Sequence, residues 1–259
     1  MIRPAIRGAW GSAFAFNNTA NILAAAKGDA AAKGDAAAVQ RAAVFHQSAS
    51  AGISTMLSNH DSFAGDRVFD QLGGNLAQYK LAAATYLLQP GTPFIYYGEE
   101  VGMKRGSQSG DTGLRTSMSW TGNTANAGFS TGTPYRSLAG NVAAFNAAAQ
   151  ADDPDSLLAF YKAMLALRNT QAAIRSGSYD AVAVAGSVMS FQRRLGAERV
   201  VVVVINYASA AANVALGSLP ANGLLASAYP AGGADLVIDA SGAASVTVAA
   251  QTVRVLTLK

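Results

Sequence analysis

Residues 53–61 read ISTMLSNHD, and residues 91–103 read GTPFIYYGEEVGM. In the first stretch Ile53, Thr55, Met56 and Leu57 have the composition of a buried strand over 53–58. That strand delivers an amide, an imidazole and a carboxylate together at its exit: Asn59, His60 and Asp61. In the second, Pro90 and Gly91 turn the chain, residues 92–97 form another apolar strand, and Gly98, Glu99 and Glu100 end it. Between them, apolar residues at 76, 77, 81, 84, 87 and 88 fall on one face of a helix over 76–88. Strand, helix, strand is α/β texture, with parallel strands joined by a crossover helix.

Working outward, residues 14–27 and 36–50 read as helices, and the hexapeptide AAAKGD occurs twice between them, at 24–29 and 30–35. Gly28 and Gly34 favour a broken helix there, and the composition carries no chemistry of its own. A polar stretch from 102 to 152 follows the second strand, and residues 156–168 form an amphipathic helix. So long a loop after a strand's C-terminal end is where α/β barrels build their sites. Beyond residue 176 short β-branched runs alternate with turns, at 179–184, 188–195, 200–206, 213–216, 236–239, 245–248 and 253–258. That spacing predicts a small all-β antiparallel sandwich. A boundary falls at the helix stop before Gly177, giving segments 1–175 and 176–259.

Composition narrows the function. Of 259 residues 51% are hydrophobic, with a mean hydropathy of +0.20, which supports a packed core. The net charge of +4 is spread thinly, and no run holds more than two adjacent basic residues, as at Arg193 and Arg194. A nucleic-acid partner is therefore not expected, since such binders cluster their Lys and Arg into a stripe. Absence of cysteine excludes disulfides, thiolate catalysis and cysteine-based zinc sites. Asn206, Asn213, Pro220 and Asn222 interrupt the longest uncharged stretch, so no membrane span is expected. Residues 1–10 carry Arg3 and Arg7 but no apolar run, so no signal peptide is expected there.

His60 and Asp61 at a strand exit can hydrogen-bond sugar hydroxyls, and a carboxylate there can stabilise a developing oxocarbenium ion. Equally, Asn59 and Asp61 can turn the strand exit while His60 packs. His46, on a helical stretch, reads as a core histidine.

Taken together, the two quoted stretches resemble glycoside hydrolase family 13, the α-amylase family. That family carries Asn-His-Asp after a barrel strand and, about thirty residues later, a GTPxIYYGEExGM segment on its eighth strand. A third match is LRTSMSW at 114–120, similar to the family's RxPMxW loop, with Ser117 standing where proline is usual. Gly128-Phe129, Asn141-Val142 and the segment from Asp155 to Arg168 continue the likeness. The resemblance implies an α/β fold: a partial (β/α) barrel, about its last three strands, followed by the antiparallel sandwich. It implies that Asp61 is the third catalytic carboxylate, the transition-state stabiliser. His60 would contact glucose hydroxyls, Asn59 would support the pair, and Arg67 is similar to a basic residue that follows the motif in some members. Glu99 and Glu100 match a recurrent pair of structural role.

A retaining glycosidase also needs a nucleophile and an acid/base carboxyl, about 5–5.5 Å apart. In the family these are an Asp within RxD and a Glu, both N-terminal to Asn-His-Asp. Here the three glutamates are Glu99, Glu100 and Glu198, and the aspartates before Asp61 are Asp29 and Asp35, neither preceded by arginine two residues earlier. The expectation is therefore an α-amylase- or α-glucosidase-like hydrolase of α-glucans represented by a C-terminal portion, inactive alone. The alternatives are a non-catalytic carbohydrate-binding or assembly protein built from the amylase fold, or one half of a split enzyme. No cofactor and no metal is assigned; the partner is an α-glucan oligosaccharide or polysaccharide. Self-association through an open barrel edge is expected, and family habit implies an extracellular or periplasmic location.

Overall fold

A computed structural model describes residues 13–28, 35–48 and 53–259. Three short strands, β1 (Ala13–Phe14), β2 (Ile53–Thr55) and β3 (Thr92–Pro93), lie parallel in the order β1-β2-β3. Ala13 is in register with Ile53 and Ser54 with Thr92. Two further bonds extend the ladder, Ala15 N to Ser54 O at 2.9 Å and Phe94 N to Thr55 O at 2.7 Å. The strands expected over 53–58 and 92–97 are shorter than the sequence suggests, because their later backbone groups find other partners. Met56 O accepts the Thr19 hydroxyl and Tyr97 O accepts Arg67. Gly91 makes the strand pairing possible: at φ +104°, a Cβ there would lie 2.5 Å from Ile53 O.

Helices flank this sheet: α1 (Phe16–Ala26), α2 (Asp35–Ser48), α3 (Val68–Gln71), α4 (Leu76–Leu88), α5 (Gly110–Leu114), α6 (Ala147–Gln150), α7 (Leu157–Thr170) and α8 (Ala172–Ser176). The first helix starts at Phe16 rather than at 14, since Phe14 belongs to β1. Residues 29–34, most of the second AAAKGD copy, lie outside the described residues, as do 49 and 50 at the expected end of the second helix. Asn75 caps α4 through Oδ1 and Ser156 caps α7 through Oγ, each accepting a backbone N–H at 3.1 Å. The stretch 102–152 is less loop-like than expected, containing α5 and α6.

After α8 the chain becomes antiparallel: β4 (Ser178–Ala185), β5 (Val188–Arg194), β6 (Val200–Asn206), β7 (Ala212–Leu216), β8 (Leu224–Tyr229), β9 (Leu236–Val237), β10 (Ala244–Val248) and β11 (Thr252–Leu258). They form a sheet of order β4-β5-β6-β11-β8-β9 and a pair β10-β7. β8 is a strand the sequence did not announce. Its LLASAY sequence has little β-propensity, and pairing with β11 imposes the conformation.

The continuous apolar run of β6 has a structural cause. Val201, Val203 and Ile205 belong to the apolar cluster that also holds residues of α1, α2, α4 and α7, with α4 and α8 against β6, whereas Val200, Val202 and Val204 cluster with Leu216, Val246 and Val248 of the smaller sheet. A strand covered on both faces has no polar side. One apolar core therefore runs from the helices into the antiparallel sheet.

Candidate functional site

The C-terminal end of β2 carries the candidate site. Ile53 through Ser58 are buried, and the chain surfaces at Asn59. Asn59 Oδ1 accepts the Asp61 N–H at 2.7 Å, an Asx turn that fixes how the carboxylate leaves the strand. Asp61 is about one-third exposed; its Oδ2 lies 3.4 Å from His60 Nε2, and the imidazole is open to solvent. The sequence thus places Asn59, His60 and Asp61 together, with Asn59 as the turn former.

A residue without an assigned role completes the cluster. Arg115 donates through Nη2 to Asp61 Oδ1 at 2.7 Å and through Nε to the His60 carbonyl at 3.0 Å. The same Nη2 reaches Asp111 Oδ2 at 3.1 Å. Asp111 in turn accepts the Ser62 N–H at 2.8 Å and the Ser62 hydroxyl at 2.7 Å, which hold its carboxyl below the usual range, with Arg115 adding to the effect. Asp61, Arg115, Asp111 and Ser62 therefore close a ring of charge-assisted bonds around the strand exit. Arg115 lies within the LRTSMSW stretch, so its neighbourhood was visible in the sequence; its contact across 54 residues was not.

Arg67 sits behind this ring, buried. Its guanidinium donates to Tyr97 O at 2.7 Å and Leu114 O at 2.6 Å, and lies over the rings of Tyr96 and Tyr97. Tyr96 and Tyr97 hydroxyls donate to the carbonyls of Leu114 and Thr116. The segment preceding and following Arg115 is thereby anchored to the end of β3.

Four phenylalanines line the same end of the sheet: Phe14, Phe16, Phe63 and Phe94. Phe14 and Phe94 meet edge to face at 4.9 Å, and Phe16 lies 5.4 Å from Phe63. All four are exposed, Phe63 by 74%. Exposed aromatic rings next to hydrogen-bonding carboxylates suit a ligand with both apolar faces and hydroxyl edges.

Glu99 is placed elsewhere. It is buried beside α4 and α7, where Oε1 accepts the hydroxyls of Tyr86 and Tyr161, each at 2.7 Å. Burial pushes its carboxyl up to about 7, against the opposing pull of the two tyrosine hydrogen bonds. Glu100 is also raised by burial. Among the described residues no three His, Asp or Glu side chains gather as a cation site, and no helix is long and apolar enough to cross a membrane.

Residues 11–177 match the family model for the α-amylase catalytic domain. The α-amylase SusG of Bacteroides thetaiotaomicron is 38% identical over 128 residues, 48% of this chain and 17% of that protein. The trehalose synthase of Thermus thermophilus is 37% identical over 148 residues, 53% of this chain and 15% of that protein. This chain thus spans about a sixth of the length of these curated relatives. The crystal structure of an α-amylase from H. orenii superposes with a TM-score of 0.75 at 24% identity, covering 100% of this chain and 51% of that one, a likeness of fold. With the family match spanning 11–177, the chain belongs to the α-amylase family, glycoside hydrolase family 13.

Proposed function

We propose that this chain forms one wall of the α-glucan cleft of an amylase- or glucosidase-type hydrolase, and that these 259 residues alone do not cleave a glycosidic bond. The observation that carries the reading is the Asp61 carboxylate, held at the exit of β2 by Arg115 beside an exposed aromatic edge. In this reading Asp61 accepts sugar hydroxyls and stabilises positive charge as it develops at the anomeric carbon. His60, exposed at the rim, bonds the neighbouring hydroxyls; Asn59 sets the turn; Arg67 acts from behind by fixing the segment that presents Arg115.

Hydrolysis with retention requires two further carboxyls at close range. Glu99 is committed to two tyrosines, Glu198 lies on the β5–β6 turn, and no glutamate precedes Asp61. β1, β2 and β3 are read as the last three strands of a (β/α) barrel and the antiparallel sheets as the sandwich that follows, with the boundary at Gly177 between segments 1–175 and 176–259. Support for that division comes from the end of α8 at Ser176 and the end of the family match at 177.

A second reading, an assembly or split-enzyme role, is favoured by one observation. Among the described residues β1 and β3 each pair with one strand only, and the four phenylalanines lie exposed at one end of this sheet. Open parallel edges with apolar neighbours invite pairing with another chain.

Reducing-sugar release from starch and maltose by the purified chain tests the main reading. No release above the uncatalysed rate is expected. Ordinary turnover abolished by Asp61→Asn would overturn it.

A further inference from the structure

At the opposite end of β3 from Asp61, three arginines surround one cavity of about 330 Å3. Arg168 and Arg193 are its buried walls; Arg175 and Ser176 on α8, with Thr92 at the start of β3, form its exposed rim. The lining includes no carboxylate, and among the described residues none of the three arginines is within ion-pair distance of one.

Backbone carbonyls satisfy the two buried guanidinia only in part. Arg168 donates to Leu87 O at 2.8 Å, Gln89 O at 3.1 Å and Gly91 O. Arg193 donates to Ser178 O at 2.9 Å, Leu88 O at 3.3 Å and Gly177 O at 2.9 Å. A guanidinium has five N–H donors, so each retains two. Arg175 spends one donor on Asn169 O at 3.0 Å.

Stapling carbonyls accounts for the positions of Arg168 and Arg193, but not for their charge. Two like charges buried side by side repel, and burial lowers the proton affinity of both, that of Arg193 to about 10, with the Arg168 charge contributing. Asp180 offers Arg193 a partial counter-charge, yet it stands outside the cavity lining and its Oδ2 accepts the Ser178 hydroxyl. Buried charge without a nearby counter-ion is costly, and an anion between the guanidinia removes that cost.

We propose that this cavity is an oxyanion site that takes a phosphate group, gripped by Arg168, Arg193 and Arg175. Guanidinium forks match a tetrahedral dianion, and three positive charges with no lining carboxylate favour two negative charges over one. The volume lies at the low end of the range of about 300–1,000 Å3 typical of small-molecule pockets, more than a bare oxyanion fills. Thr92 and Ser176 hydroxyls on the rim suit the polar remainder of a phosphorylated small molecule. Occupancy would tie the α4–β3 turn to α8 and to the start of β4, far from the Asp61 end.

Calorimetric titration of the full chain at fixed ionic strength, with inorganic phosphate in one arm and glucose 6-phosphate in the other, tests the site. Arg175→Gln is the decisive variant, because Arg175 is exposed and holds a single surface carbonyl, so the fold survives its loss. Saturable millimolar or tighter binding, weakened about tenfold or more in Arg175→Gln, is the expected result, as befits a lost charge-assisted bond. Tighter binding of glucose 6-phosphate than of phosphate would identify a phosphorylated sugar as the ligand class; equal affinity would identify the free ion. Absence of saturable binding, or binding unchanged in Arg175→Gln, would overturn the proposal.

Discussion

Arg115 couples Asp61 to His60: one guanidinium holds the Asp61 carboxylate at 2.7 Å and the His60 carbonyl at 3.0 Å. The contact fixes the Asp61 side chain and the His60 backbone relative to β2 although Arg115 belongs to a segment beyond β3. Both partners of the ion pair remain partly exposed, so its contribution to stability is small, about 1 kcal/mol or less. Its role lies in orientation. Arg115→Ala is expected to shift the urea midpoint slightly while lowering maltotriose affinity several-fold, with affinity followed by calorimetry.

Arg67 behaves differently because it is buried. Removing it leaves the Tyr97 carbonyl without this donor, leaves Leu114 O with the Tyr96 hydroxyl alone, and opens a gap against Tyr96 and Tyr97. Arg67→Ala is expected to cost about 3 kcal/mol or more. Hydrogen exchange should show the amides around Leu114 and Arg115 losing protection first. Arg67→Lys should rescue little, since a single ammonium cannot span both carbonyls as the fork does.

Glu99 gives a pH signature. Its folded-state value of about 7 lies above the ordinary 4.5, so the native state binds the proton more tightly than the unfolded chain. The stability it contributes is complete below 4.5 and is lost as pH rises through 7, by on the order of 3 kcal/mol. Glu99→Gln keeps an acceptor for Tyr86 and Tyr161 without the charge. Denaturation series from pH 5 to 8 should show the variant gaining stability relative to the wild type as pH rises through 7.

His46 has the opposite sign. Burial, with the nearby Arg193 charge, lowers it to about 4 from 6.5, and its ring meets Phe45 and Tyr179 edge to face. The native state resists protonation, so the stability linked to neutral His46 is present above 6.5 and lost as pH falls through 4. Between pH 4.5 and 6.5 this slope opposes that of Glu99, so a series extended to pH 4 should show His46→Leu losing the opposing gain and declining more steeply with pH than the wild type.

How much of this was legible in the sequence depends on where the determinants lie. α4 and β6 were readable to their end residues, because a helix face and a strand buried on both sides write themselves as local patterns. β8 was not, since LLASAY becomes a strand through its neighbour β11 and not through its own residues. β1 was hidden because two residues, Ala13 and Phe14, carry no period at all. Asn59, His60 and Asp61 were readable as adjacent residues with sugar-binding chemistry. Arg115, Asp111 and the phenylalanine edge were not, because only the folded chain brings residues 14, 63, 94 and 115 to one end of the sheet.

That phenylalanine edge, with β1 and β3 each open on one side among the described residues, predicts self-association. Light scattering at micromolar concentration should report species larger than a monomer. The double substitution Phe16→Ser and Phe63→Ser should shift them toward the monomer, and a clean wild-type monomer would contradict the expectation.

The central claim is that sugar binds where Asp61 leaves β2, and a calorimetric titration of the purified chain with maltotriose, beside Asp61→Asn, tests it most directly. One wall of a cleft supplies only part of the hydrogen bonds, each worth about 1 kcal/mol net, so weak saturable binding is predicted, lost in the variant. Binding of equal strength in the two proteins, or none in the wild type, would contradict it.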